Sequence, residues 1–160
     1  MTSVRSYRGE DAPLLSDLYV RSVRTLAAGD YSARQIDAWA ALAPDPVRLD
    51  ALARDGRLRL VSEDAQGAPV AFADLEPDGH IHYFYCGPEA AGTGTAGALY
   101  DALEAAARDR GARRLYAEAS EGARRFFLKR GFAVLARRDF EVSGVPIHNY
   151  AVEKTLFPKT

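Results

Sequence analysis

From His80 to Gly111 the chain reads HIHYFYCGPEAAGTGTAGALYDALEAAARDRG. An aromatic strand runs through a glycine-rich loop straight into a long helix. Gly92, Gly94 and Gly97 complete a G-x-G-x-x-G, the fingerprint of a dinucleotide-binding turn. What surrounds the loop narrows that reading. Upstream, RLRLVSE alternates Leu58 and Leu60 with Arg57 and Arg59, which predicts a half-exposed strand. PVAFADL and HIHYFYC follow after the short turns DAQG and EPDG, so the three strands should be antiparallel neighbours. A doubly wound nucleotide fold needs parallel strands joined by crossover helices instead. Glu118 stands about where a ribose-binding acid would fall, roughly 20 residues beyond the loop, but too little chain follows it for a second nucleotide-binding half. With no Gly-Lys-Ser/Thr, a P-loop is excluded. A plain strand-to-helix turn and an acyl-CoA phosphate loop remain beside the dinucleotide reading.

The rest of the chain supplies the other layers. Asp11 is the expected N-cap of a helix with Pro13 in its first turn, and Leu15, Leu18, Tyr19, Val23 and Leu26 share one face before Gly29. Ser32 and Gln35 have capping-box spacing at the head of SARQIDAWAAL, and Asp45-Pro46 opens a third helical turn. The helix after the glycine loop is predicted over about Thr93 to Arg110, with Ala96, Leu99, Tyr100, Leu103 and Ala107 inward and Gly111 as its stop. RRLYAEAS reads as a strand, GARRFFLKR as a helix, and FAVLARRDF and IHNYAVEKTL as two last strands. The order predicts one domain over 1–160 of class α+β, a mixed, mostly antiparallel sheet of six to seven strands flanked by helices.

Composition removes several function classes. Lys and Arg total 21 against 22 Asp and Glu, so no global field draws the chain to nucleic acid or an anionic membrane. The one cysteine, Cys86, allows no internal disulfide and no Cys-rich zinc site, and no metal is expected. The charged N-terminus MTSVRSYRGEDAP is unlike a signal peptide, and no apolar run reaches a membrane span, so a cytoplasmic protein is expected.

The stretch HIHYFYCGPEAAGTGTAGALYDALEAAARDRGARRLYAEAS, followed by ARRFFLKRGF, resembles the GNAT superfamily of acyl-CoA-dependent N-acyltransferases. DYS…QI…AW, from Asp30 to Trp39, and EPDGHI, from Glu76 to Ile81, are similar to segments of a group of small bacterial acetyltransferases. The resemblance implies a splayed central strand pair and acetyl-CoA as cofactor. It implies Ala91, Gly92, Thr93, Gly94, Thr95 and Ala96 as the pyrophosphate loop, where a helix N-terminus offers free N–H groups. Phe84, Tyr85 and Cys86 become main-chain partners of the pantetheine arm, an added strand on an exposed edge. Ser120 stands where many relatives carry a pantetheine-binding Asn. Phe127 stands where many carry a Tyr that protonates the leaving thiolate, so that acid is missing here, and its ring is expected to be both packed and cofactor-facing.

Other residues are candidates by type and place. Asp74 and Glu76 share a face of one strand, and His80 and His82 lie on the next; Glu76 and His82 are the preferred bases and Ser120 a further catalytic candidate. Tyr31, Gln35 and Trp39 recur at helical spacing where the superfamily builds its acceptor wall, and Tyr150 is a further acceptor-site phenol. Cys86 has no Cys–His–acid pattern around it, so direct transfer without an enzyme nucleophile is expected. Arg124, Arg125, Lys129 and Arg130 read as a solvated helix end, with Arg124 or Arg125 in reach of the cofactor's ribose phosphate. The expected function is acetyl transfer to a primary amine of a small molecule or peptide, and a homodimer is compatible with it. A non-catalytic acyl-CoA sensor is the alternative, with a nucleotide-dependent oxidoreductase third.

Overall fold

A computed structural model describes residues 2–156; residues 1 and 157–160 of the expected 1–160 domain lie outside that description. β1 (Ser3–Ser6) leads through a 3-10 turn at Gly9–Asp11 into α1 (Ala12–Leu26), α2 (Ala33–Ala40) and α3 (Pro46–Leu52). The meander β2 (Leu58–Glu63), β3 (Pro69–Leu75) and β4 (Ile81–Cys86) follows, and α4 (Thr95–Asp109) comes after the glycine loop. β5 (Arg114–Ala119), α5 (Glu121–Lys129), β6 (Ala133–Val142) and β7 (Val145–Thr155) complete the chain.

The strands form two antiparallel half-sheets, ordered β1-β2-β3-β4 and β5-β7-β6. β3 is buried along its whole length because helices cover both its faces. Its side chains alternate between two cores. Ala71, Ala73 and Leu75 meet Leu99 and Leu103 of α4, Leu115 of β5 and Phe127 of α5, whereas Phe72 meets Leu15 and Leu18 of α1 and Leu49 of α3. Each fully buried leucine in these cores is worth about 1.5–3 kcal/mol of transfer free energy.

Local signals fix the helix ends. Ser32 Oγ accepts from Gln35 N at 3.1 Å while Gln35 Oε1 accepts from Ser32 N at 2.9 Å, closing the expected capping box. Asp45 caps α3 through Arg48 N, 2.8 Å, with Pro46 in the first turn. Asp11 does not cap α1. Its backbone is already helical (φ −73°), and its carboxylate takes the Arg8 N–H at 2.8 Å and both guanidinium nitrogens of Arg5. Leu26 departs from its expected inward face and is 43% exposed.

β2 keeps its period but not its expected exposure. Arg57 and Arg59 are buried, and Leu58 and Leu60 are half-buried. The Arg face is covered because Asp74 lies across from it on β3. Asp74 receives Arg59 at 2.7 and 2.9 Å and Arg57 at 3.0 Å, and Arg59 also donates to Leu49 O, tying α3 to the sheet. A buried carboxylate shared by two guanidiniums is a structural pair, and that arrangement leaves Asp74 no open oxygen for a substrate.

The half-sheets meet at one place. Tyr116 N donates to Gly79 O at 3.1 Å, beside a parallel bridge between His80 and Tyr116. Only glycine fits there: φ is +97° and a Cβ would stand 2.1 Å from Arg114 O. Beyond that point β4 and β5 diverge, with no further pairing among the described residues.

Candidate active site

The divergence of β4 from β5 opens a cleft of about 560 Å³. Its inner end is lined by Ile81, His82, Phe84, Tyr85 and Cys86 of β4, Ala117 and Glu118 of β5, and Ser120, Phe126 and Phe127 near α5. Leu26, Tyr31, Trp39 and Leu42 from the helical arm and Phe140, Ile147 and His148 from the β6–β7 hairpin line its outer end. The glycine loop joins the cleft at Ala96.

Gly92 and Gly94 adopt φ of +74° and +85°, and a Cβ at either would meet nothing within 4 Å. Gly94 is the residue that caps α4, which starts at Thr95, two residues later than its sequence suggests. The N–H groups of Gly92, Gly94, Ala96 and Gly97 have no partner among the described residues. Four free backbone donors at a helix N-terminus, with open space at Gly92 and Gly94, have the chemistry to hold an anion. Thr93 and Thr95 brace the loop: Thr93 Oγ1 donates to Ala90 O at 2.6 Å and lies 2.7 Å from Thr95 Oγ1. Ala91 is exposed beside it. At Gly97 the missing side chain admits Arg130, whose guanidinium would stand 2.3 Å from a Cβ and which pairs with Asp101. Arg125 is engaged with Asp30 and Arg124 with Glu121.

At the seam, His80 joins three elements. Its Nδ1 is 2.5 Å from Glu76 and its Nε2 2.7 Å from Glu118. The hydrogen bond to Glu118, backed by Glu76, raises the imidazole to about 9 against the cost of burial, and the same bond holds Glu118 below the usual carboxylate range. Glu76 itself does not line the cleft; Glu118 does, one oxygen held by His80. His82 lines the cleft with Nδ1 2.7 Å from an Arg57 nitrogen. A guanidinium only donates, so Nδ1 accepts and Nε2 carries the hydrogen. Although this residue is exposed at the cleft, partial desolvation of its ring, with the Arg57 charge, lowers the imidazole below its ordinary value. A register shift in the β3–β4 pairing, between Ala73 and Leu75, falls opposite His82 and Tyr83.

Ser120 lines the cleft as the N-cap of α5, its Oγ accepting from Ala123 N at 3.3 Å, which leaves its own O–H to donate elsewhere. Phe127 is buried against Phe84 and Phe132, ring centroids 5.7 and 4.7 Å away. Burial pushes the Cys86 thiol up to about 11, which makes it a poor nucleophile. Tyr31 and Trp39 line the outer cleft with rings 5.5 Å apart; the Tyr31 hydroxyl donates to His148 O and accepts from Glu121 N. Gln35 is engaged with Ser32 and Pro146 O and does not line the cleft. Nor does Tyr150, whose hydroxyl donates to Glu121 at 2.8 Å. Sequence reasoning passed over Glu121, which His148 and Tyr150 hold down to about 2, and over Glu118, Arg138, His148 and Asn149 as wall residues. The alternation of IHNYAV, which puts Ile147 and Asn149 on one face, was the signal for the part of that wall that β7 supplies. No described helix is long and apolar enough to cross a membrane.

A family model described as an acetyltransferase (GNAT) domain matches residues 27–154. A solved structure described as a GCN5-related N-acetyltransferase and as an aminotransferase, class II, from Rhodopseudomonas palustris is 38% identical, with TM-score 0.87, over 98% of this chain and 96% of that one. The PaiA N-acetyltransferase of Thermoplasma acidophilum, in complex with coenzyme A, is 19% identical with TM-score 0.76, over 98% and 99% of the two chains. YncA of Salmonella typhimurium, with its cofactor acetyl-CoA, is 20% identical with TM-score 0.78, over 100% and 96%. These last two share the fold. No curated protein matches the sequence.

Proposed function

The chain belongs to the GNAT acetyltransferase family, and on that premise we propose that it moves an acetyl group from acetyl-CoA directly to the nitrogen of a primary amine. The observation that carries this reading is the group of free backbone donors between Gly92 and Gly97, set beside a β4 edge that β5 leaves unpaired. The donors fit a pyrophosphate, and the free edge at Phe84, Tyr85 and Cys86 fits the amide-bearing pantetheine arm. Bound there, acetyl-CoA supplies an activated thioester: the amine nitrogen bonds to its carbonyl carbon, the C–S bond breaks, and the thiolate leaves with the proton the amine gives up.

The protein positions, polarises and excludes water. The Cys86 N–H, which the β3–β4 register turns toward the open edge, stabilises the charge that grows on the carbonyl oxygen. Phe84, Phe126 and Phe127 keep the thioester end dry. The Ser120 O–H donates toward the departing sulfur in place of the phenol that Phe127 lacks. Proton removal from the ammonium is assigned to the Glu118 carboxylate, which lines the cleft, because Arg57 takes the His82 Nδ1 lone pair, His80 is already protonated and Glu76 does not line the cleft.

Two measurements test this. Acetyl-CoA at one hundred times its dissociation constant should stabilise the protein by about 2.7 kcal/mol, and NADH should not. A panel of amines with acetyl-CoA should release free thiol; tight acetyl-CoA binding with no turnover across the panel would favour the sensor reading instead.

A further inference from the structure

The floor of the outer cleft is one face of the β5-β7-β6 half-sheet. Glu118 pairs across Ala151, Arg138 across Asn149, and Phe140 across Ile147, so these side chains stand on the same face. Arg137 and Asp139 alternate to the other face and pair with each other. Two charged groups on the floor have hydrogen-bonding capacity left. Arg138 has no carboxylate partner among the described residues; it donates to Asn149 Oδ1 at 2.9 Å and lies over the Phe140 ring at 5.4 Å, contacts that lay it along the floor. Glu118 has one oxygen on His80 and the other open to the cleft. Asp30, the other carboxylate on the wall, is already bidentate with Arg125.

We infer that the acceptor is an amino acid with a large apolar side chain, its ammonium on Glu118 and its carboxylate on Arg138 with Asn149. The inference rests on the acetyl-transfer reading above and names its substrate class. Two strand spacings and two residues of rise put the Cα atoms of Glu118 and Arg138 about 12 Å apart. Two long side chains reaching toward each other across that span leave room for the ammonium and carboxylate of a single amino acid. The apolar side chain then lies against Trp39, Leu42 and Phe140. Leu26 and Leu42, 43% and 55% exposed at the mouth, are otherwise large apolar groups left to water. A peptide N-terminus carries its amine but no adjacent carboxylate, and leaves Arg138 without a partner. Glu118, held in its charged form, orients the ammonium next to the thioester.

The test compares phenylalanine, leucine and methionine with the amines that lack only the carboxylate. Calorimetry on the CoA-saturated protein reads binding without turnover, and thiol release with acetyl-CoA reads kcat/KM. A charge-assisted pair predicts that the amino acids win by roughly 10- to 100-fold in both assays. Arg138→Gln should bring that ratio close to one, chiefly through KM, and Arg138→Lys should keep part of it; Glu118→Gln should weaken binding of both compound classes. Equal binding of acid and amine by the wild-type protein, or an Arg138→Gln ratio as large as the native one, overturns the inference. Turnover of the amines with no preference for the acids overturns it while leaving acetyl transfer standing. Selective binding of the amino acids without thiol release sustains it and removes the acetyl-transfer reading.

Discussion

Asp74→Asn removes one charge and almost no volume from the most tightly enclosed ion cluster among the described residues. The side chains of Asp74, Arg59 and Arg57 are 0%, 1% and 3% exposed. The amide still accepts one hydrogen bond, but both guanidiniums lose their shared counter-charge, and Arg59 has no other carboxylate among its contacts. Breaking a buried pair from one side typically costs 3–5 kcal/mol because the stranded charge cannot be solvated. At about 2–4 °C per kcal/mol for a chain of this size, the melting midpoint should fall by roughly 6–20 °C. The matched control is Asp37→Asn, which breaks an exposed pair with Arg24 (52% and 69% exposed) and should cost at most about 1 kcal/mol. Equilibrium urea unfolding of the two variants beside the parent measures the difference. An Asp74→Asn cost within 1 kcal/mol of the control would refute the reasoning, because it would mean that water or another anion reaches Arg59.

Gly94→Glu should leave the cores intact, costing about 1–2 kcal/mol for a side chain at positive φ, while abolishing the CoA-induced rise in melting temperature; an unchanged CoA affinity would make the loop purely structural. His80 has a folded pKa of about 9 against roughly 6.5 unfolded, so its charged contacts stabilise fully below pH 6.5 and the benefit is lost as pH rises through 9. The stability gap between the parent and His80→Gln, read by urea midpoints, should therefore be larger at pH 6 than at pH 9.5; a gap that grows with pH would contradict the ion pairs to Glu118 and Glu76.

What the sequence made legible is what short-range chemistry decides. Ser32 and Gln35 announce their helix end because cap and partner are three residues apart. The glycine loop announces its backbone because φ values of +74° and +85° select glycine. The meander was readable from its turns. Partnerships across the fold were not. Asp74 looked like a base because nothing local tells a carboxylate that faces a cleft from one that faces Arg57 and Arg59 on the neighbouring strand. The alternation of Arg57 and Arg59 has the same period whether that face meets water or a third helix, and α3 covers it. Tyr150 and Gln35 were plausible wall residues by type, but their orientation depends on Glu121 and Pro146, which are distant in sequence. Glu118 was noticed only for its distance from the glycines, and its pairing with His80 depends on how two half-sheets dock.

The seam at Gly79 also has a consequence for how the molecule comes apart. Each half-sheet is built from one uninterrupted stretch of chain, residues 3–86 and 114–155, so the gap in the sheet coincides with a gap in chain order. Beyond the one bridge at Gly79 and His80, cooperativity cannot pass between the halves along a backbone ladder. It is carried by the apolar core in which Leu99 and Leu103 of α4 join residues of β3 and β5, and by the Tyr31 hydroxyl clasping the far side. The two halves are therefore the natural units of partial unfolding, and a molecule seated in the cleft touches both at once. Such a molecule acts as a removable crosslink: it binds best when the halves are docked, and its departure leaves the protein closest to separating along the line where the chemistry takes place.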